Sequence, residues 1–201
     1  TARFLLGNFG GFDPARDALP VERLVALDRW ALRRTAELQR EVIEAYRNNA
    51  FHLIYQKVHN FCAVDLGGFY LDVLKDRLYT TPRAGEPRRS AQTAMIHIAE
   101  AMVRWLAPIL SFTAEEIWRA LPGERPESVF LSTWHSLPAI GGTDGIDWDM
   151  LLELRGDISK VLEGLRVAGA IGSSLDAEVE IACTAQRFEQ VGTWEGVLRI
   201  E

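Results

Sequence analysis

The spacing of apolar residues along the chain predicts a protein built mainly of α-helices. From Pro20 the apolar positions recur every three or four residues to about Asn48, which predicts one long helix. A second helical pattern opens at Phe51, and a third begins near Arg88 and carries a broad apolar stripe that includes Trp105. Helices with such stripes bury them against one another, so we expect an antiparallel helical bundle with Trp105 in its core.

The stretch from 60 to 89 is amphipathic but contains a glycine pair at its centre. Its polar positions carry charges of alternating sign, and its apolar positions lie close to helical spacing. Gly67 and Gly68 interrupt this pattern, and each glycine costs roughly 1 kcal/mol relative to alanine inside a helix. We therefore predict a kink, or a helix in two pieces, packed closely against a neighbour.

A further short helix is predicted after the third one. Thr113 followed by Glu116 matches a capping box, which places the helix start at Thr113 and turns Trp118 inward. A catalytic carboxylate pair formed by Glu115 and Glu116 is a weaker interpretation, since adjacent residues on a helix point about 100° apart.

The composition changes twice in the second half of the chain. Proline, glycine and serine dominate from about 121 to 146, after which Asp147 can cap another helix. Apolar and polar residues then alternate over 175–183, which predicts a half-buried strand, and 196–201 could form a second. We predict a mainly α fold with a small C-terminal α+β appendage. The predicted division is a helical bundle at 1–121, a connector packed on it at 122–146, and a C-terminal helix with the appendage at 147–201.

Composition excludes several classes of protein. The 201 residues are 48% hydrophobic with six tryptophans, as in a folded globular protein. Cys62 and Cys183 lie far apart, so neither a disulfide framework nor a zinc site is supported. The apolar runs are shorter than the roughly 20 residues that a membrane span needs, and we expect a cytoplasmic protein without a membrane partner.

The charge is distributed unevenly along the chain. The net charge is −6, but residues 1–119 hold 16 basic and 14 acidic side chains whereas 120–201 hold 6 and 14. All but three of the 22 basic residues are arginine, which suits bidentate phosphate contacts. A codon bias toward arginine explains this equally well, so composition permits an RNA partner without demonstrating one.

No motif for catalysis or for binding a metal or a cofactor is found. His52, His59 and His97 lack the spacing of metal ligands, and we interpret them as packing histidines. The chain contains no P-loop, no dinucleotide-binding glycine motif and no nucleophile with a partner base. We therefore assign no catalytic residues, no cofactor site and no metal site.

Several blocks in order resemble a known family. DLGGFYLDVLKDRLYT, then RRSAQTA and LAPILSFTAEEIW, together with RFLLGNF and FDP near the start, are similar to the anticodon-binding helical domain of class I aminoacyl-tRNA synthetases. The first two blocks favour the isoleucine-specific members, with valyl- and leucyl-type members as alternatives. The glycine pair departs from the serine or asparagine usual in the family, and the last 20 or so residues match poorly.

The resemblance implies a role in recognising the anticodon stem and loop of isoleucine tRNA. The parent enzyme would ligate isoleucine to tRNA using ATP with magnesium, and a zinc ion could lie outside this chain. The H-I-G-H and K-M-S-K-S motifs of the parent's nucleotide fold are absent, so we expect the chain to be a piece of a larger protein and inactive alone. Its partners would be the tRNA and the remainder of the synthetase, and we expect a monomer.

The resemblance also suggests where RNA contacts lie. We place them on the first helix and at the start of the helix that opens near residue 88, because guanidinium and amide groups can hold phosphates and bases. Surface ion pairs are the alternative role for these arginines, and a helical protein-interaction module is the alternative function. The candidates are Arg3, Asn8, Arg88 and Arg89, followed by Arg33 and Arg77.

Overall fold

The computed structural model describes residues 1–141 and 145–184. The chain divides into two compact units, 1–141 and 142–201. The described part is mainly helical and contains no strand. The α-helices are α1 (Ala2–Gly7), α2 (Pro14–Asp17), α3 (Ala26–Arg47), α4 (Phe51–Asn60), α5 (Leu71–Thr80), α6 (Glu86–Leu106), α7 (Ser111–Ala120) and α8 (Trp148–Val167). Short 3₁₀ turns lie at Val21–Arg23, Val129–Leu131 and Ser174–Asp176, and a π-helical segment spans Phe61–Tyr70.

Helices α3 and α6 run parallel through the first unit. The backbone N–H of Val25, just before α3, donates to Ser90 Oγ in the first turns of α6 at 2.8 Å. At the other end Tyr46 Oη donates to the carbonyl of Trp105 at 2.6 Å. Trp105 is fully buried, as its place on the apolar stripe predicts.

The arm formed by α4, the π-helical segment and α5 returns antiparallel to α3. Lys57 pairs with Glu41 near the start of the arm, and Arg34 Nε lies 3.0 Å from Asp65 Oδ2 further along. The predicted antiparallel bundle is thus confirmed, with successive long elements alternating in direction.

The predicted break at the glycine pair is a π-helical segment. Its wider turn brings each carbonyl toward the residue five positions later, and Leu71 N–H bonds to the carbonyl of Leu66. A Cβ on Gly67 would lie 3.0 Å from the Cys62 carbonyl oxygen. Glycine at this position therefore allows the backbone approach that the π turn requires.

Helix α7 starts earlier than the capping box predicts. It begins at Ser111 with Leu110 as N-cap, no side chain caps it, and Thr113 lies inside its first turn. The prediction was wrong because the chain leaves α6 through backbone bonds such as Leu110 N–H to the carbonyl of Leu106, which set the start of α7 without a side-chain cap. Trp118 is buried as predicted.

Arginines hold α7 and the chain that follows it. The guanidiniums of Arg104 and Arg125 lie over the ring of Trp118, 4.7 and 4.8 Å from its centroid. Glu100 bonds to both guanidiniums, and Trp118 Nε1 donates to the carbonyl of Pro126 at 2.9 Å. These contacts fix the beginning of the segment that leads to Trp134.

The second unit contains α8, but the predicted strand at 175–183 is absent. Asp147 caps α8 by accepting from Met150 N–H, as the sequence indicates. Residues 177–184 have no regular structure and are largely exposed. A strand needs a neighbour to satisfy its backbone groups, and no such partner lies among residues 145–184. The second predicted strand, at 196–201, lies outside the described residues.

Within the described ranges, no helix is both long enough and apolar enough to cross a bilayer.

Candidate nucleic-acid interface

Three of the predicted site residues lie together where α1 ends and α6 begins. Arg89 donates to Gln92 Oε1 at 2.9 Å and to the carbonyl of Gly11 at 3.1 Å, and it pairs with Asp17 at 3.3 Å. Asn8 is buried and its carbonyl accepts from Gln92. Arg88 donates to a backbone carbonyl at the end of α5. The fold brings these three residues to one end of the bundle, where they make internal contacts.

The acidic partner of Arg89, the Asp17 carboxylate, has a lowered pKa. A hydrogen bond from Arg16, with further help from the Asp13 backbone and from Arg89, lowers the pKa of Asp17 to about 2. Arg89 also lies over the ring of Phe12, 5.6 Å from its centroid. The guanidinium of Arg89 therefore ties the segment before α3 to α6.

Arg77 takes part in a buried network. Its guanidinium donates to both carboxylate oxygens of Asp28 at 2.7 and 2.8 Å, and Asp28 is 0% exposed. Tyr70 Oη donates to the same carboxylate at 2.8 Å, and Ser90 Oγ donates to it as well. Burial alone would lower the pKa of Arg77, but the adjacent carboxylate raises it, so the charged pair persists.

The same network acts on Tyr70. Burial and the neighbouring Asp28 raise the pKa of the Tyr70 hydroxyl well above its usual value, so it remains a donor. Asp28 thereby joins α3, the π-helical segment, α5 and α6. Sequence reasoning did not single out Asp28, whose charged side chain gave no sign that it faces inward.

The remaining two candidates lie on separate helices. Arg3 is exposed on α1 and makes no hydrogen bond or ion pair with the described residues. Arg33 is half-buried on α3. The six candidates are therefore not one cluster, and four of them hold the bundle together.

A group of aromatic rings lies at the opposite end of the bundle. Tyr46, at the end of α3, lies 5.9 Å from the ring of Phe51 and 5.8 Å from the ring of Trp134, centroid to centroid. Phe51 is 50% exposed and Trp134 is 41% exposed. We call Tyr46, Phe51 and Trp134 the aromatic end.

The turn between α3 and α4 surrounds the aromatic end with polar groups. Arg47, Asn48 and Asn49 are all exposed, and Asn49 adopts a left-handed conformation with φ of 54°, which asparagine tolerates better than most residues. Asn48 bonds to Glu44 at 2.7 Å, and Arg47 pairs with the same carboxylate at 3.6 Å. Arg40 is exposed nearby, on the α3 face that borders the α3–α4 cleft.

Sequence reasoning missed this surface. The composition of the turn, Arg-Asn-Asn-Ala-Phe-His between two amphipathic helices, was its only local signal. Trp134 lies more than 80 residues further along, and only the fold brings it to the turn. Exposed aromatic rings beside amide and guanidinium groups form the kind of surface on which single-stranded bases stack.

Residues 28–181 match the family described as the anticodon-binding domain of tRNA ligase. The match covers more than half of the chain, and the chain belongs to this family.

The individual relatives are named isoleucine–tRNA ligase. The chain is 60% identical to that of Nitrosococcus oceani over 185 residues, which are 90% of this chain and 20% of the relative. It is 57% identical to that of Methylococcus capsulatus over 195 residues, 95% of this chain and 21% of the relative. It is 53% identical to that of Halorhodospira halophila over 207 aligned positions, 99% of this chain and 22% of the relative. The chain thus spans about a fifth of the length of these relatives.

Proposed function

We propose that the chain binds the anticodon stem and loop of isoleucine tRNA as part of an isoleucine–tRNA ligase. Membership of the anticodon-binding family supports an RNA role, and the names of the relatives support isoleucine. The observation that carries the proposal is the aromatic end, where Phe51 and Trp134 present exposed rings against Tyr46. Protein-interaction surfaces also carry aromatic and arginine side chains, so the family match is what favours RNA over a helical protein-interaction module.

In this proposal the loop bases stack on the aromatic end. Stacking of a base on an aromatic side chain contributes roughly 1–3 kcal/mol. The side-chain amide of Asn49 can bond to a base edge, since the exposed turn presents it to solvent. Arg40 and Arg47 can contact the neighbouring phosphates, which position the RNA without reading its sequence.

The six arginine and asparagine candidates take two roles. We propose that Arg3, which is exposed on α1 and lies outside the networks around Asp28 and Arg89, contacts the stem phosphates. Arg33, half-buried on α3, stays a candidate contact. Arg77, Arg88, Arg89 and Asn8 would act indirectly, by holding the helices that carry the contacts.

The activity of the whole protein is also a proposal. The parent would ligate isoleucine to tRNA with ATP and magnesium in parts that this chain does not contain, in the cytoplasm. Within the chain, residues 1–121 would form the RNA-binding bundle, 122–146 would bring Trp134 to it, and 147–201 would form a C-terminal region. We expect the purified chain to be a monomer.

The test measures binding of a labelled anticodon stem-loop of isoleucine tRNA to the purified 201 residues at low ionic strength. Trp134→Ala and Phe51→Ala should each weaken binding about 5- to 150-fold, as expected for the loss of roughly 1–3 kcal/mol of stacking. Tyr79→Ala is the matched control, because Tyr79 is 65% exposed at the end of α5, at the opposite end of the bundle from the aromatic end.

The salt dependence separates the alternatives. For an RNA complex, log K falls linearly with log salt, by roughly 0.7–0.9 per phosphate contacted. An absence of saturable binding at low salt would favour the protein-interaction module. Equal losses for Tyr79→Ala and Trp134→Ala would remove the aromatic end from the interface.

A further inference from the structure

The segment that carries Trp134 is held on the bundle by two contacts of the next residue. His135 Nε2 lies 2.9 Å from His97 Nδ1 on α6, and the two rings are tilted by 39°. The carbonyl of His135 accepts from Gln39 Nε2 on α3, also at 2.9 Å. His135 thus bridges the two parallel helices of the bundle.

These contacts form a closed circuit with the aromatic end. Gln39 Oε1 accepts from Trp105 Nε1 at 3.0 Å, so the buried tryptophan orients the amide that holds His135. The carbonyl of Trp105 accepts from Tyr46 Oη, and the Tyr46 ring lies 5.8 Å from that of Trp134. Each of these side chains is therefore held by a contact with a different helix or segment, and Trp134 is the one that is exposed.

We propose that the hydrogen bond between His97 and His135 is a clasp that positions Trp134 at the aromatic end, and that double protonation of the pair opens it. The role in RNA binding rests on the proposed function. His97 and His135 are positioning residues, since they act through Trp134.

The chemistry of imidazole explains why two protons are needed. A neutral pair has one N–H donor facing one nitrogen acceptor, and a singly protonated pair keeps this arrangement. When both rings are protonated, both facing nitrogens are donors, so the hydrogen bond is lost and two positive charges face each other.

The surroundings of the pair oppose the second proton. Burial lowers the pKa of His97, whereas Glu100 on the same helix acts in the opposite direction. Burial, His97 and then Arg104 lower the pKa of His135 to about 4, again against Glu100. Glu100 is itself bonded to Arg104 and Arg125, and the α3 side chain that holds His135, Gln39, is uncharged. The clasp therefore stays closed near neutral pH.

The test follows Trp134 directly in the purified chain. The chain has six tryptophans, which can be labelled with 5-fluorotryptophan, and the ¹⁹F resonance lost in Trp134→Phe is assigned to Trp134. His97→Leu should move this resonance toward the solvent-exposed position at pH 7. His59→Leu, at an exposed histidine of α4, is the control and should leave it unchanged.

A conservative variant separates positioning from general stability. In His97→Asn the amide can occupy the place of Nδ1 and offer its oxygen to a protonated His135, so the clasp should survive protonation. The wild-type Trp134 resonance should move toward the exposed position between about pH 5 and 3, centred near the pKa of about 4 of His135, whereas the His97→Asn resonance should not. An equal pH response in both proteins would overturn the proposal.

RNA binding gives the second readout. Stem-loop affinity should fall as much in His97→Leu as in Trp134→Ala, and the double variant should lose no more than either single one, since both act through one side chain. Additive losses, or an unchanged Trp134 resonance in His97→Leu, would refute the clasp. If no protein binds the stem-loop while the resonance still responds, the proposed function fails and the clasp stands as a device of the fold alone.

Discussion

Removing the guanidinium of Arg77 should destabilise the bundle far more than removing an exposed arginine. Arg77 is 15% exposed, and its two bonds neutralise a carboxylate at Asp28 that is fully buried. Breaking a buried ion pair by removing one partner costs about 3–5 kcal/mol, because the other charge stays buried without compensation. Arg77→Met keeps much of the side-chain volume and isolates this effect.

Urea unfolding followed by circular dichroism measures the change. For a slope of about 2 kcal/mol per molar urea, a loss of about 4 kcal/mol lowers the midpoint by about 2 M. The matched control is Arg23→Met, because Arg23 pairs with Glu86 while both side chains are more than half exposed, at 55% and 51%. That change should cost less than about 1 kcal/mol.

A double variant tests the network itself. Asp28→Asn combined with Arg77→Met removes both charges, so its loss should be smaller than the sum of the two single losses. If Arg77→Met cost no more than Arg23→Met but weakened RNA binding, the assignment of Arg77 to the core would be refuted and the residue would be an RNA contact.

Three further outcomes are expected. Gly67→Ala should be less favourable than Gly164→Ala in urea unfolding by about 1–3 kcal/mol, because a Cβ on Gly67 meets the Cys62 carbonyl whereas Gly164 has open space in α8. Equal effects of the two substitutions would refute the steric argument. Folding lowers the pKa of His97 and His135, so their contribution to the free energy of unfolding should be complete above about pH 6.5 and should decline toward pH 4. The expected decline is about 1–2 kcal/mol after allowing for partial exposure of the rings. The decline should be smaller in His135→Gln. Isoleucine-dependent pyrophosphate exchange by the purified chain should equal that of a heat-killed control, and exchange above that level would contradict the expectation that the chain alone is inactive.

The helices were predictable because their signal is local. The apolar stripe of α6 places Trp105 in the core from spacing alone, and Asp147 marks the start of α8. The glycine pair predicted a break, but a π-helical segment could not be foreseen, since it depends on how Phe61 to Tyr70 pack within the bundle. The strand at 175–183 failed because alternation says nothing about whether a partner strand exists.

The candidate site was less predictable because its parts are distant in sequence. Arg88 and Arg89 do stand at the start of α6, but their contacts with the end of α5 and with Gly11 depend on the fold. The partner of Arg77 lies 49 residues away, and an arginine on an amphipathic helix gives no sign of it. Trp134 likewise reaches Tyr46 only through the connector, so the aromatic end has no continuous sequence pattern.

Recognition of the anticodon loop by the aromatic end can be tested by comparing two RNAs. One is the anticodon stem-loop of isoleucine tRNA, and the other has the same stem closed by a short loop without the anticodon. We expect the first RNA to bind the chain at least 10-fold more tightly than the second. Trp134→Ala should remove this preference while leaving most of the affinity for the stem. Equal affinity for the two RNAs, or a preference that survives Trp134→Ala, would contradict this recognition.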